Sequence, residues 1–319
     1  MSGYVAGIDL GGTKIASCIM DAGGRILARE TLPTLAHEGP DAVVGRMKKA
    51  VYDLMEKTHM DKKQIAAIGI GVPGPLDRKR GIVKNPPNLP GWRDIPLIAL
   101  MREEFDLPVV MENDANAAAL AENLYGAGKN VRNFMYITVS TGIGGGFVVD
   151  GKLLTGEYGN AVEIGHTTIN FDGPRCGCGN RGCWEAYASG TALARFAREG
   201  IRGGRNSRLV EMAGQEGIKA EHVFAAAKEG DEFALELIEK EAFYLGVGLA
   251  NVINAYNPGL IAMGGGLTNE WDMFYETMIR VMKERALKAN TADLRVVKAA
   301  LGAAAGIIGA AAVAWSTQK

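Results

Sequence analysis

Apolar runs broken by glycine turns dominate the start of the chain. Tyr4–Asp9 and Thr13–Met20 read as strands joined by a turn at Leu10–Gly12, and a further turn at Asp21–Gly24 leads into a third strand, Arg25–Thr31. The arrangement returns later as strand Phe134–Val139, turn Ser140–Gly145, strand Gly146–Val149 and turn Asp150–Gly151. Ile8 and Ile137 are 129 residues apart, as are Asp21 and Asp150, so one strand–turn–strand unit is expected twice. Between and after these units the pattern alternates helix and strand. Asp41–Thr58 reads as a helix with an acidic cap after Pro40, Ile65–Gly71 as a strand, and Val72–Trp92 as an irregular excursion suited to substrate. Then come helix Pro96–Phe105, strand Val109–Glu112, helix Ala115–Tyr125 and, further on, helix Ala186–Glu199. Helices Asp231–Ala255 and Trp271–Ala289 flank strand Leu260–Met263, and strand Leu294–Ala299 with helix Gly302–Trp315 closes the chain. Alternating elements around a repeated unit predict an α/β protein of two lobes with a cleft between them.

Composition narrows the function. The 319 residues correspond to about two domains, and 47% apolar with 22% charged residues is globular rather than disordered. Lys plus Arg is 35 against 36 Asp plus Glu, so no general field draws nucleic acid or an anionic membrane. The longest Gly/Ala-rich apolar run, Leu301–Trp315, falls short of the ~20 residues of a membrane span and reads as a close-packed helix. Met1–Gly7 lacks the pattern of a secretory leader, and the cysteine spacing favours metal in a reducing cytoplasm over disulfides. Glycine is in excess, at 43 residues. That excess suits turns whose amides approach phosphate.

Three glycine groups fit that use. Ile8–Lys14 reads I-D-L-G-G-T-K: Asp9 ends a strand and suits a hydrated Mg²⁺, Gly11 and Gly12 bring amides forward, Thr13 adds a hydroxyl and Lys14 a charge. Thr138–Gly146 reads T-V-S-T-G-I-G-G-G, a second set of donors. Gly264–Gly266 follows a strand and precedes a helix, where a nucleotide can approach. There is no G-x-x-x-x-G-K-[ST], which removes the main warrant for P-loop enzymes, and the first glycine turn leads into a strand rather than a helix, which disfavours a dinucleotide-binding reading. Glu112-Asn113-Asp114 ends a strand before an Ala-rich helix; Asp114 is expected as its N-cap, ionised by the helix amides and able to orient a hydroxyl for phosphoryl transfer. His166, Cys176, Cys178 and Cys183 form a closed Cys₃His set for structural Zn²⁺, bracketed by Glu163 and Glu185, which suit polyol hydroxyls.

Together these motifs resemble the ROK family of sugar kinases and repressors, within the actin/hexokinase/Hsp70 superfamily of ribonuclease H-like folds. The matching segments are D-L-G-G-T at Asp9–Thr13, G-V-P-G-P at Gly71–Pro75, E-N-D-A-N at Glu112–Asn116, S-T-G-I-G-G-G at Ser140–Gly146, E-I-G-H at Glu163–His166, C-x-C-G-x-x-G-C-x-E at Cys176–Glu185 and N-P-x-x-I-x-x-G-G-G at Asn257–Gly266. The resemblance implies ATP-dependent phosphorylation of a hexose, most like glucokinase, with other hexoses as alternatives. Asp114 would take the proton from the sugar 6-hydroxyl. Gly74, Asn88, Asn113, Glu163, His166 and Glu185 would hold the sugar. Asp9 would position Mg²⁺, Gly11–Thr13 and Thr141–Gly142 would bind phosphates, and Gly265 would lie along the adenosine. Val162 departs from the glycine common in the family beside that Glu. Family repressors carry a DNA-binding segment ahead of the first hairpin, which here begins at residue 4, so no nucleic-acid partner is expected. A homodimer or homotetramer is implied by resemblance alone. The lobes are expected at 1–113 plus 301–319 and at 114–300.

Overall fold

The computed structural model describes residues 3–316. Strands β1 (Tyr4–Leu10), β2 (Lys14–Asp21) and β3 (Ile26–Pro33) form an antiparallel meander. Helix α1 (Pro40–Thr58) then leads to β4 (Ile65–Val72). Its N-cap is Gly39, with Pro40 opening the first turn and Asp41 inside it, so the expected acidic cap is displaced. A two-stranded hairpin, β5 (Leu76–Asp77) and β6 (Ile82–Val83), lies within the excursion after β4. Next come α2 (Leu97–Phe105), β7 (Val109–Asn113) and α3 (Asp114–Tyr125). The repeat follows as β8 (Phe134–Val139), β9 (Ile143–Val149) and β10 (Lys152–Leu153). Helices α4 (Gly190–Arg202), α5 (Leu209–Gly217), α6 (Ala220–Lys228) and α7 (Glu232–Tyr256) precede β11 (Leu260–Gly264). The chain ends through α8 (Tyr275–Arg285), α9 (Lys288–Thr291), β12 (Arg295–Lys298) and α10 (Ala305–Trp315).

The expected duplication is carried in the topology. One sheet has the order β3-β2-β1-β4-β7 and the other β10-β9-β8-β11-β12, the same order with the same parallel partners beside the first strand of each. Parallel neighbours force helical crossovers, and these cover the faces of the sheets. In the first sheet, Ile8, Leu10, Ile68 and Ile70 pack with α1 and α2 side chains such as Met47 and Phe105. Val5, Cys18 and Ala67 point the other way, onto Ile307, Ile308 and Ala311 of α10. A Cβ on Gly69 would lie 1.9 Å from the carbonyl oxygen of Ala310, so the helix can sit on this strand only because the side chain is missing. The run 301–315 is thus a packed helix, and among the described residues no helix is long and apolar enough to cross a membrane.

Contacts divide the chain into two compact units, Met1–Arg132 with Gly146–Val162 and Ala299–Lys319, and Asn133–Gly145 with Glu163–Lys298. The division differs from the one expected at 113/114. α3 stays with the first unit because it packs closely on α10, where a Cβ at Gly309 would meet the Ala117 carbonyl carbon at 2.4 Å.

Candidate active site

In the first unit, the β1–β2 turn closes through Gly11 N–H donating to Lys14 O (2.9 Å), and Thr34 Oγ1 donates to Gly11 O (2.7 Å). The amides of Gly12 and Thr13 donate to no acceptor among the described residues. That leaves two forward-facing donors beside the exposed Lys14, a cradle for phosphate oxygens. Gly12 also lies against the excursion after β4, since its Cβ would sit 2.8 Å from Asn88 O. Gly74 lies beside Asn113, a Cβ there falling 3.5 Å from the Asn113 amide nitrogen. The structure therefore brings Asp9, Gly11–Lys14, Gly74, Asn88, Asn113 and Asp114 together in one unit.

The cap of α3 differs from expectation. Asn113, in extended backbone, accepts from the amides of Ala115 (3.0 Å) and Asn116 (3.3 Å), while Asp114 is the first helical residue. Asp114 Oδ1 accepts from Ala115 N–H at 2.8 Å, and the amide of Asp114 itself also faces the carboxylate. One carboxylate oxygen is thereby left for a substrate hydroxyl. Its ionisation also departs from expectation: enclosure by surrounding protein raises the Asp114 carboxyl above the usual carboxylate range, outweighing the Ala115 amide that lowers it. The residue itself stays open to solvent at its edge, and water moderates the effect. A raised carboxyl is the better base. Asp9 is pushed up to about 6, first by desolvation and then by the charge of Asp114, with Lys14 opposing. Two carboxylates that repel each other beside a phosphate cradle are a donor set suited to a hard divalent cation, so Asp9 fits Mg²⁺.

The second unit holds the other expected residues. His166, Cys176, Cys178 and Cys183 each offer a ligand atom within 4.8 Å of the others. Cys178 Sγ and Cys183 Sγ lie 3.7 Å apart, and Cys176 Sγ lies 3.7 Å from His166 Nδ1. Tetrahedral ligands at Zn–S distances of about 2.3 Å are separated by nearly this much, so the four fit Zn²⁺. With Nδ1 turned to the cluster, His166 Nε2 is the nitrogen left for a hydroxyl. Burial pushes the Cys176 thiol up to about 12, so metal uptake must release its proton. Glu185 ties the cluster to the repeated hairpin: Oε2 accepts from Ile143 N–H (2.9 Å), and Oε1 accepts from the Cys176 thiol (3.6 Å). Deprotonation of that thiol frees Oε1. A Cβ on Gly142 would sit 2.3 Å from Glu185 Oε2, so a side chain at that turn would displace the Glu185 carboxylate. Glu163 is exposed one residue past Val162, a valine at φ 65°, where the side chain costs about 1–3 kcal/mol.

A cavity of about 540 Å³ opens beside the second hairpin, lined by Thr141, Thr191, Arg198, Phe224, Leu267 and Asn269 among others. Its size suits a nucleoside. Gly265 stands next to it at φ 91°. The sequence reading found Thr141 and Gly265 here but missed the wall from α4 and α6. Ser189, which caps α4 by accepting from Ala192 N–H (3.2 Å), was the available signal for that helix start.

Two sheets of this duplicated order, each with a glycine hairpin at its centre, define a two-lobed phosphotransferase of the actin/hexokinase-like class. Residues 5–317 match the ROK family, and the chain belongs to it. It is 36% identical over 308 residues to a glucokinase of Thermotoga maritima, covering 96% of each chain. Among solved structures it is similar to a ROK hexokinase from Thermus thermophilus (TM-score 0.84, 38% identity, 99% of each chain). It is also similar to a ROK glucokinase from Streptomyces griseus in complex with glucose and AMPPNP (TM-score 0.81, 36% identity, 98% of this chain and 100% of that one).

Proposed function

We propose that this chain is an ATP-dependent hexose kinase that phosphorylates glucose at the 6-hydroxyl, giving glucose 6-phosphate and ADP. The observation that carries the reading is the pairing of Asp114 with Asp9 beside the open amides of Gly12 and Thr13. Asp114, with a raised carboxyl and one uncommitted oxygen, orients the 6-hydroxyl and accepts its proton as the bond to phosphorus forms. Asp9 holds a hydrated Mg²⁺, which when bound neutralises phosphate charge. Gly11, Gly12, Thr13 and Lys14, with Thr141 and Gly142, bind phosphates, and Gly265 borders the adenosine. Gly74, Asn88, Asn113, Glu163, His166 and Glu185 hold the sugar. Zn²⁺ on His166, Cys176, Cys178 and Cys183 is structural: four protein ligands leave no open position, and the ion fixes the imidazole and Glu185.

The motifs shared among ROK kinases leave a second reading, in which the preferred acceptor is another hexose such as N-acetylglucosamine, N-acetylmannosamine, fructose or allose, and the left-handed Val162 beside Glu163 bears on that selectivity. A panel of these sugars and glucose, assayed for ADP release with Mg²⁺ and ATP, decides between them. The highest kcat/KM is expected on glucose; no turnover of glucose beside efficient turnover of another member would replace it as substrate.

A further inference from the structure

We propose that Arg78 is a positioning residue for the kinase reaction, clamping the Asn113–Asp114 turn from behind through Glu112 and seating the segment that leads to Glu163. The inference rests on the kinase reading above and deepens it.

Glu112 is the penultimate residue of β7, with its side chain only 2% exposed, one residue before the α3 cap Asn113 and two before Asp114. A buried carboxylate is costly without a counter-charge. Arg78, from the β5–β6 hairpin, supplies one: its Nη2 lies 2.7 Å from Glu112 Oε2 in an ion pair. The other oxygen, Oε1, accepts from Asn113 N–H (3.0 Å) and from the Asn116 side-chain amide (3.1 Å). Both oxygens are therefore committed. They grip the residue whose side chain caps α3 and a residue in the first turn of that helix, so Asp114 is bracketed on both sides by groups hung on Glu112. The Arg78 stem does a second job. Gly159 lies flat against it, since a Cβ there would come within 2.7 Å of Arg78 Cδ. Lys79 and Glu157 tie the same segment to the same hairpin at 2.8 Å. That segment runs on through Val162 into Glu163.

The effect on kinetics follows. Loss of Arg78 loosens the Asp114 turn, which lowers kcat, and frees the approach to Glu163, which raises the KM for sugar. Neither change touches the adenosine cavity, so the KM for ATP is spared. A defect that only reduced the folded fraction would lower kcat and leave both KM values alone. Arg78 meets Glu112 as an ion pair through Nη2 and its Nε is buried without a partner, so a single ammonium can supply the counter-charge. Lysine should rescue.

The test compares wild type, Arg78→Met, Arg78→Lys and Glu112→Gln as full-length, metal-replete proteins, with glucose affinity also measured by calorimetry. For Arg78→Met, a fall in kcat of tenfold or more is expected, with a several-fold rise in glucose KM and Kd and less than twofold change in ATP KM. Arg78→Lys should return kcat to within about threefold of wild type. If Arg78→Met fails to fold, the near-isosteric Glu112→Gln carries the test and must lower kcat with the same KM pattern. Arg78→Met within twofold of wild type in kcat and glucose KM would overturn the proposal, as would a kcat loss matched by the loss of folded protein. If Arg78→Met fails to fold, Glu112→Gln within twofold of wild type overturns it equally. Wild type that binds glucose without phosphorylating it defeats the kinase reading instead; the clamp is then judged on glucose Kd, which Arg78→Met must weaken several-fold to sustain it.

Discussion

The two hairpins share a backbone and divide the chemistry. Ile8 matches Ile137 in the repeat, so Asp9 at the end of β1 corresponds to Thr138 at the end of β8. The first hairpin thus carries a carboxylate that repels Asp114, and the second carries neutral donors with Glu185 held on its turn. Identical strand order allowed this because the sheet fixes where the turn sits, while its side chains decide what the turn can hold. On the proposed reading Asp9 and the proton acceptor Asp114 belong to the first unit together with the sugar contacts Gly74, Asn88 and Asn113, and the cysteine cluster with Glu163, His166 and Glu185 belongs to the second. Contrasting kinetic signatures are expected for loss of the base in the first unit and loss of the cysteine cluster in the second.

The largest effect is expected from Asp114→Asn. The amide keeps the acceptor for Ala115 N–H and removes the base, so kcat should fall roughly 10²–10⁴-fold. Glucose affinity measured by calorimetry should stay within a few-fold of wild type. Turnover near the wild-type rate would take the reaction chemistry away from the first unit.

Cys183→Ser should give the reverse pattern. Elemental analysis of the wild type is expected to find about one zinc per chain, and of the variant much less, because a serine cannot complete the set. Without the ion His166 and Glu185 lose their fixed orientation. Glucose KM should rise tenfold or more, kcat at saturating glucose should change far less, and the thermal midpoint should drop by several degrees. A variant that loses kcat and keeps glucose KM would contradict the division between the units.

How much of this was legible beforehand depended on whether a feature was local. The hairpins, the cysteine cluster and the Gly-rich turns are written in contiguous residues, and the repeat was visible as a shared spacing. The cap of α3 was not, because Asn113 and Asp114 are both capping residues in sequence; the choice fell to Asn113, whose backbone is extended at ψ 142°. Helix α5 was missed because Gly214 and Gly217 interrupt its helical period, and Gly214 is indeed non-helical at φ 61°; α6, nine residues between Gly217 and Gly230, is too short to show a strong period of its own. Arg78 and Glu112 are far apart in the chain, and a charge in a loop gives no sign that it will meet a buried strand end. The unit boundary depended on the packing of α3 against α10, a contact between distant segments.

Buried carboxylates extend the comparison to stability. In the first unit Glu112 is paired with Arg78, and Glu122 accepts from Ala127 N–H (2.8 Å) and Leu301 N–H (2.7 Å). In the second, Glu241 of α7 is 2% exposed and neither oxygen has a partner among the described residues. Desolvation raises its carboxyl well above the ordinary value, so the folded protein holds this proton more tightly than the unfolded chain does. By linkage, the stability attached to Glu241 is fully present below the unfolded-state value and is lost as pH rises through the folded-state value. Glu241→Met fills similar volume without a group to ionise. It should stabilise the protein by about 1–3 kcal/mol in denaturant melts at pH 8. The gain should narrow toward pH 5, where wild-type Glu241 is kept neutral, and activity should be untouched. A gain that is absent at pH 8, or equal at both pH values, would mean that this carboxyl has found a partner and that the two units treat their buried acids alike.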